Sequence, residues 1–443
     1  MKYLKLAILL TMLCSSGYVF GEISPEWTYD LPNSYSLDDI LSITQDGKYI
    51  AVGSNAMGMG RIYYFNKNGE LLWINNLSKS NPLSPRRSDD WSDGEYIDVV
   101  SIDDLKISSD GKYVIASIEN ISEFGIRTTY VYVFNNNGKI LKKYKIKNGN
   151  AILSISPDDK YIFVGDDMHA YLIDIDKGIL LDYETDGYIN SIDMASDDSY
   201  AVAGCEDGKI YVFNISNHSL MWEYQTNGNV KSVSINSNKK LVGAGGLDGY
   251  IYILNYSGKP TNKRNLNSSI YYLKLTDCND YNIIAYNGLK IYYLDKNLAT
   301  LWTYYPNSST SIEIKDATPD GKYMVVYDDN YYLSFENYCE GCLEVLNDNG
   351  TIAWAYPLPE YSPNAKISSD GKYVVGIIDG KLYLFDNQKC IENYEPHKQG
   401  IMTGIIDPTR LLIYFVVITI IVMVILLVGV YYIIKLDKKE RKA

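Results

Sequence analysis

Ile367-Ser-Ser-Asp-Gly-Lys-Tyr-Val-Val375 is a phrase that the chain rewrites along most of its length. It recurs as Ile107-Ser-Ser-Asp-Gly-Lys-Tyr113. With small changes it stands at Ile43-Thr-Gln-Asp-Gly-Lys-Tyr49, Ile155-Ser-Pro-Asp-Asp-Lys-Tyr161 and Ala317-Thr-Pro-Asp-Gly-Lys-Tyr323. Degraded copies at Met194–Tyr200, Ile235–Leu241 and Leu275–Tyr281 bring the count to eight. Ser/Pro-Asp-Gly holds the residue types that accept tight turns and positive φ, set here between short alternating apolar runs. The phrase therefore predicts a hairpin whose second strand opens at the Tyr.

Downstream, a second turn (Glu206-Asp-Gly208, Leu247-Asp-Gly249, Asp379-Gly380) leads into an aromatic-rich strand such as Lys209-Ile-Tyr-Val-Phe-Asn214. A fourth strand often carries Trp, as in Leu71-Leu-Trp73, Met221-Trp-Glu-Tyr224, Leu301-Trp-Thr-Tyr304 and Ala353-Trp-Ala-Tyr356. Four strands in a unit of about 40 residues predict an all-β chain of β-propeller blades. The anchors Tyr49, Tyr113, Tyr161, Tyr200, Leu241, Tyr281, Tyr323 and Tyr373 mark eight blades; seven blades plus an irregular segment is the alternative. The last unit runs out near Asp386, while Glu26-Trp-Thr-Tyr29 stands alone as an orphan fourth strand. The N-terminal strand is thus expected to complete blade eight and close the ring. The 43 Tyr against 9 Phe suit half-buried strands and do not by themselves mark a stacking site.

The two ends carry different signals. Residues 1–21 have the pattern of a secretory signal: Lys2 and Lys5, the apolar run Leu6–Leu13, then small residues around Gly21. Leu411–Ile434 is an unbroken apolar run, about 36 Å long as a helix and enough to cross a bilayer. Lys435, Lys438, Lys439, Arg441 and Lys442 follow it, whereas Arg410 stands alone before it. The positive-inside rule then puts the tail 435–443 in the cytoplasm and residues 22–390, with a linker at 391–410, outside the cell. The expectation is a single-pass type I protein of the plasma membrane. Removing the basic signal and tail leaves an ectodomain more acidic than the −13 of the whole chain. Such a surface argues against nucleic acid as a partner.

The chemistry-bearing residues are sparse. His169, His218 and His397 are scattered, and neither a nucleophile–His–acid spacing nor a phosphate-binding Gly-rich loop occurs. No cofactor and no metal are expected. Cys339-Glu-Gly-Cys342 has no second such pair and no nearby His, which favours a disulfide clipping a loop over zinc; a reduced pair is the alternative. Asn-x-Ser/Thr sequons stand at Asn76, Asn120, Asn214, Asn217, Asn255, Asn267, Asn307 and Asn349.

The units from about 150 to 256 resemble WD-repeat propellers, through Ser156-Pro-Asp-Asp-Lys-Tyr161, Glu206-Asp-Gly208 and Val212-Phe-Asn214, where that family writes Trp-Asp. Segments such as Phe65-Asn-Lys-Asn-Gly-Glu-Leu-Leu-Trp73 resemble instead quinoprotein-type propellers built on pyrroloquinoline-quinone repeats. The resemblance covers residues 24–390 and its motifs are structural. It lacks the adjacent Cys pair and calcium-binding set of active quinoproteins, and similar eight-bladed proteins without cofactor are envelope scaffolds.

Extra residues fall in four places: Ser78–Tyr96, Ser117–Arg127, Asp328–Leu343 and Pro357–Asn364. Each is a blade-to-blade connector or a connection between second and third strands, and in a propeller both classes open on one face. They belong to blades 7, 8, 1 and 2, so they are expected to gather as binding loops in one sector. Within them, Arg86, Arg87, Asp89, Asp90, Trp91, Asp93 and Glu95 form the most unusual segment, with Trp91 as an aromatic anchor for a partner. Calcium is the other use for these carboxylates, without EF-hand spacing. The expected function is a surface-anchored binding or scaffold module for an extracellular or envelope protein or glycan. A quinone-dependent dehydrogenase and the ligand-binding subunit of a signalling complex are the alternatives.

Overall fold

The computed structural model describes residues 23–32, 39–55, 58–77, 99–122, 126–147, 149–278, 280–305, 312–329, 332–334, 337–339, 341–358 and 362–394. Residues 1–394 make one compact unit; residues 395–443 make a second, none of which is described. Eight four-stranded antiparallel sheets form the blades. In order they span residues 40–76, 99–145, 152–184, 189–225, 230–265, 272–304, 312–358 and 364–386. The eighth takes its outermost strand, Trp27–Asp30, from the N-terminus, with Trp27 opposite Leu384 and Asp30 opposite Lys381. Inner strands of successive blades pack side by side, including Ile40–Ile43 of blade 1 against Asn364–Ile367 of blade 8.

The core is divided among the seams. Eight apolar clusters occur among the described residues, one between each pair of neighbouring blades. The cluster at the join of blades 8 and 1 holds Leu41, Ile50, Tyr63 and Phe65 against Val375, Leu382 and Leu384. Each sheet is buried on both faces, so its middle strands are near-continuous apolar runs rather than alternating ones.

The repeated phrase owes its form to two sets of contacts. Within the hairpin, the Ser108 hydroxyl donates to Asp110 and accepts from the Tyr113 amide, and Asp110 accepts from the Lys112 amide. Ser368 and Asp370 repeat this pattern around Tyr373. Between blades, the turn glycine lies under the Tyr of the preceding blade. A Cβ on Gly111 (φ 73°) would sit 2.4 Å from the Tyr49 ring, and one on Gly47 (φ 69°) 2.3 Å from the Tyr373 ring. Only glycine meets both demands, left-handed backbone and no side chain. Asp159 and Asp198, where glycine is replaced, still hold φ of 59° and 55°.

A second device ties the outer strands. Trp73 packs on Gly138 of the next blade and donates its indole N–H to the Asn136 carbonyl at 3.0 Å. Trp222 on Gly258 with the Tyr256 carbonyl, and Trp302 on Gly350 with the Asp348 carbonyl, do the same. Trp27 of the N-terminal strand repeats it on Gly69, donating to the Lys67 carbonyl at 2.8 Å.

Four readings change. Seven of the eight anchor positions open a second strand, but Tyr281 does not: in blade 6 that strand starts at Ile283, and Tyr281 sits in the turn at φ 45°. Ser117–Arg127 is mostly strand, because Tyr113–Ile121 and Arg127–Asn135 pair along their whole length, up to Ile121 opposite Arg127. Asp328–Leu343 contains a two-stranded ribbon, Tyr332–Ser334 with Asn337–Cys339. After Asp386 the chain forms a helix, Asn387–Asn393, N-capped by Asp386 and held by Asn387, which accepts from the Trp354 indole at 2.6 Å. No helix among the described residues is long and apolar enough to cross a membrane; Leu411–Ile434 lies outside them, as do the signal at 1–21 and the tail.

Candidate binding face

Antiparallel order puts the repeated phrase and the third-to-fourth turns on one rim of the ring, here the lower face. The second-to-third turns and the blade-to-blade connectors lie on the upper face. The chain reaches its helix Asn387–Asn393 from the lower face.

Arg86, Arg87, Asp89, Asp90, Trp91, Asp93 and Glu95 lie outside the described residues, in the sequence between Leu77 and Val99. Cys339 ends the ribbon strand Asn337–Cys339 and Cys342 lies in the third strand of blade 7; the Cys339 side chain is outside the description, and with it the expected disulfide. Cys205 and Cys390 are buried, and burial pushes both thiols up, Cys390 to about 12. Among the described residues no group of three His, Cys, Asp or Glu is placed to hold a metal ion.

The upper face carries something the loop lengths did not announce. Ile126, Met168, Tyr188, Leu247, Tyr271, Leu289 and Tyr305 are exposed there, Ile126 and Leu289 by 63% and Tyr305 by 59%. Six of the seven belong to turns and connectors of blades 3 to 6, and Ile126 stands between the second and third strands of blade 2. On the lower face, among the described residues, Tyr256 is the one large apolar side chain so exposed, and it rests on Tyr200. The rest of that face is ion-paired turns such as Asp46–Lys48, Asp110–Lys112 and Asp370–Lys372. A signal was present in the sequence. Asn287-Gly-Leu-Lys290 and Gly246-Leu-Asp-Gly249 put Leu where turn chemistry asks for a polar residue.

Toward blades 8, 1, 2 and 3 the same face opens into a cavity of about 610 Å³ between inner strands. Ile40, Val99, Val100, Ile102 and Ile152 give it apolar walls, and Asp39 and Asp103 are the charged residues among its described lining. Asn55 braces one wall, donating to the Ile102 carbonyl and accepting from the Ile102 amide at 2.7 Å; Asn364 braces another, donating to the Asp39 carbonyl at 2.7 Å. Burial raises the Asp103 carboxyl to about 7, helped by the charges of Glu119 and Asp104. Glu344 of blade 7 is also raised to about 7, by burial first, against the hydrogen bond it accepts from Tyr304 at 2.7 Å. Buried acids thus gather toward this face, with Glu119 meeting Arg127 at 3.4 Å.

Residues 180–214 match the WD domain, G-beta repeat, model. That match begins in the fourth strand of blade 3 and ends with the third strand of blade 4, the one-strand offset by which the N-terminal strand enters blade 8. The structure is similar to the C-terminal WD40 domain of Sif2, with a TM-score of 0.61 and 14% identity over 82% of this chain and 98% of that one. The fold is an eight-bladed β-propeller similar to that WD40 domain. No curated protein sequence matches the chain.

Proposed function

We propose that this propeller is a binding scaffold whose upper face docks an extracellular or envelope protein, and that the chain is held at the plasma membrane by Leu411–Ile434. The observation that carries the reading is the asymmetry of the faces: among the described residues, seven large apolar or aromatic side chains exposed on one rim against Tyr256 on the other. Exposed apolar groups concentrated on one face of a rigid scaffold are what a partner surface buries. The connectors lengthened in blades 7, 8, 1 and 2 open on the same rim, so the two sectors form one binding surface, with Trp91 as a further anchor. The basic tail and the apolar run support a type I orientation with the propeller outside the cell.

The test is mild cross-linking in the protein's own membranes followed by affinity capture. Wild type is compared with a Tyr271→Ser/Leu289→Ser variant and with Tyr256→Ser as the lower-face control. A partner lost with the first variant and kept with the control is the expected result. A partner retained by both overturns the docking face. Labelling of intact cells with a membrane-impermeant reagent checks the orientation, and failure to label the propeller overturns the anchoring.

A further inference from the structure

We infer that two copies of this chain associate side by side through the outer strands of blades 2 and 3, the lysine edge of each meeting the acidic edge of the other. The two strands are Ile140–Lys145 and Gly178–Glu184, and both run from the lower rim to the upper. Their pairing with the third strands puts them in step. Lys143 and Asp182 lie opposite Tyr132 and Tyr171, and Lys145 and Glu184 lie opposite Tyr130 and His169. Across the bulge that both strands share, Ile140 and Ile179 lie opposite Phe134 and Ile173. The two edges are therefore alike in outline, apolar below and charged above, and opposite in sign.

These groups face solvent. Ile140 is 46% exposed and Ile179 42%, and Lys143, Lys145, Asp182 and Glu184 are all exposed. Two of the charges are held in place: Lys143 Nζ sits 3.7 Å over the Tyr130 ring, and an Asp182 oxygen lies 2.7 Å from His169 Nδ1. Lys145 and Glu184 form no ion pair with a described residue, whereas Lys48, Lys112 and Lys372 of the lower turns are paired within their own hairpins. In a chain of net charge −13 the lysine row is an exception, and acid answers it at the same positions one blade on.

Symmetry selects the arrangement. A twofold axis parallel to the ring axis, passing between these blades, sets blade 2 of each copy against blade 3 of the other. Both strands of each contact then run the same way, so lysines come level with acids and Ile140 with Ile179. The contact occurs twice and closes on itself, as a dimer requires. Turning one copy over would set lysine against lysine and acid against acid, which is unfavourable. Both upper faces therefore point the same way and stay uncovered.

The full-length chain in non-ionic detergent is followed by sedimentation velocity over a micromolar concentration series and a salt series. Wild type is expected to dimerise, and to dissociate as salt screens the charges. Lys145→Glu and Glu184→Lys each reverse a contact present twice, and each should weaken the dimer about tenfold or more. The double variant Lys145→Glu/Glu184→Lys should regain the wild-type affinity, and an equimolar mixture of the two single variants should form a mixed dimer. A wild type monomeric throughout, as when another protein covers these edges, overturns the inference. So does a dimer indifferent to salt; both readings need no variant and stand if one fails to fold. Single variants that dimerise like wild type, or a double variant no tighter than either single one, overturn it as well. Tyr271 and Leu289 are untouched in all of these, so the docking of a partner on the upper face can stand or fall separately.

Discussion

On the lower face Gly111 lies under Tyr49 and Gly138 under Trp73, each turn pinned by an aromatic ring from the blade before it. On the upper face Leu289, in the turn 287–290, and Tyr305, just after the strand Thr300–Tyr304, stand mostly in solvent. The same eight sheets make both rims, so the difference is not one of fold. It lies in what each turn is asked to touch. Lower-face turns touch the neighbouring blade of the same chain, which fixes their residues to a recurring phrase. Upper-face turns meet the connectors beside them mainly through backbone bonds, as Leu247 does with the Asn229 carbonyl and Glu206 with the Tyr188 carbonyl, so their side chains vary and their apolar groups are available to another molecule.

If this division is right, substitutions on the two rims should separate stability from binding. The largest effect is expected at Trp354, fully buried on the lower side with its indole bonded to Asn387. Trp354→Ala should cost about 4 kcal/mol in chemical denaturation; a loss below a third of that would mean the seam of blades 7 and 8 is not held there.

Next comes Glu344, a buried acid toward the upper face. Its carboxyl keeps the proton to about 7 when folded, against an ordinary 4.5. Between these values the folded state holds more protons than the unfolded one. Stability therefore falls as pH rises across that window and levels off above it, by up to about 3 kcal/mol. Asp103 adds a slope of the same sign. Glu344→Gln should flatten its share, and a wild type with no slope across the window breaks the assignment.

A smaller effect is expected at Trp302, where Trp302→Phe keeps the stacking on Gly350 but removes the bond to the Asp348 carbonyl. The cost should be about 1 kcal/mol, with partner capture unchanged. The smallest is at Leu289: Leu289→Ser should move stability by less than about 0.5 kcal/mol while weakening capture. A large stability loss there would make Leu289 a packing residue and collapse the comparison.

The legibility of the sequence follows the same division. The hairpins were readable because Ser108, Asp110, Gly111 and Tyr113 interact within six positions of one another. The Trp contacts were not, since Trp73 and Asn136 meet across a blade boundary that no local pattern records. Blade 6 misled because Tyr281 kept the anchor's identity while its turn lengthened by two residues. Ser117–Arg127 looked like a loop because Glu119 and Asn120 are poor strand residues; full pairing to the third strand and the Arg127 contact of Glu119 override that preference. The cavity was invisible because Asp39, Asp103 and Asn364 come from three separate blades' inner strands and connectors.

The borrowed strand of blade 8 also sets a schedule for synthesis. Trp27 and Leu384 are roughly 360 residues apart, so at a ribosomal rate of about 5–20 residues per second the first strand waits roughly 20–70 s for its mate. For that interval the nascent ring is an open arc with two unmatched ends. The waiting strand is only Trp27–Asp30, with every second residue exposed even in the finished ring, too short and too polar-sided a template to recruit another chain. Its brevity is what lets the last blade be the one that finds it.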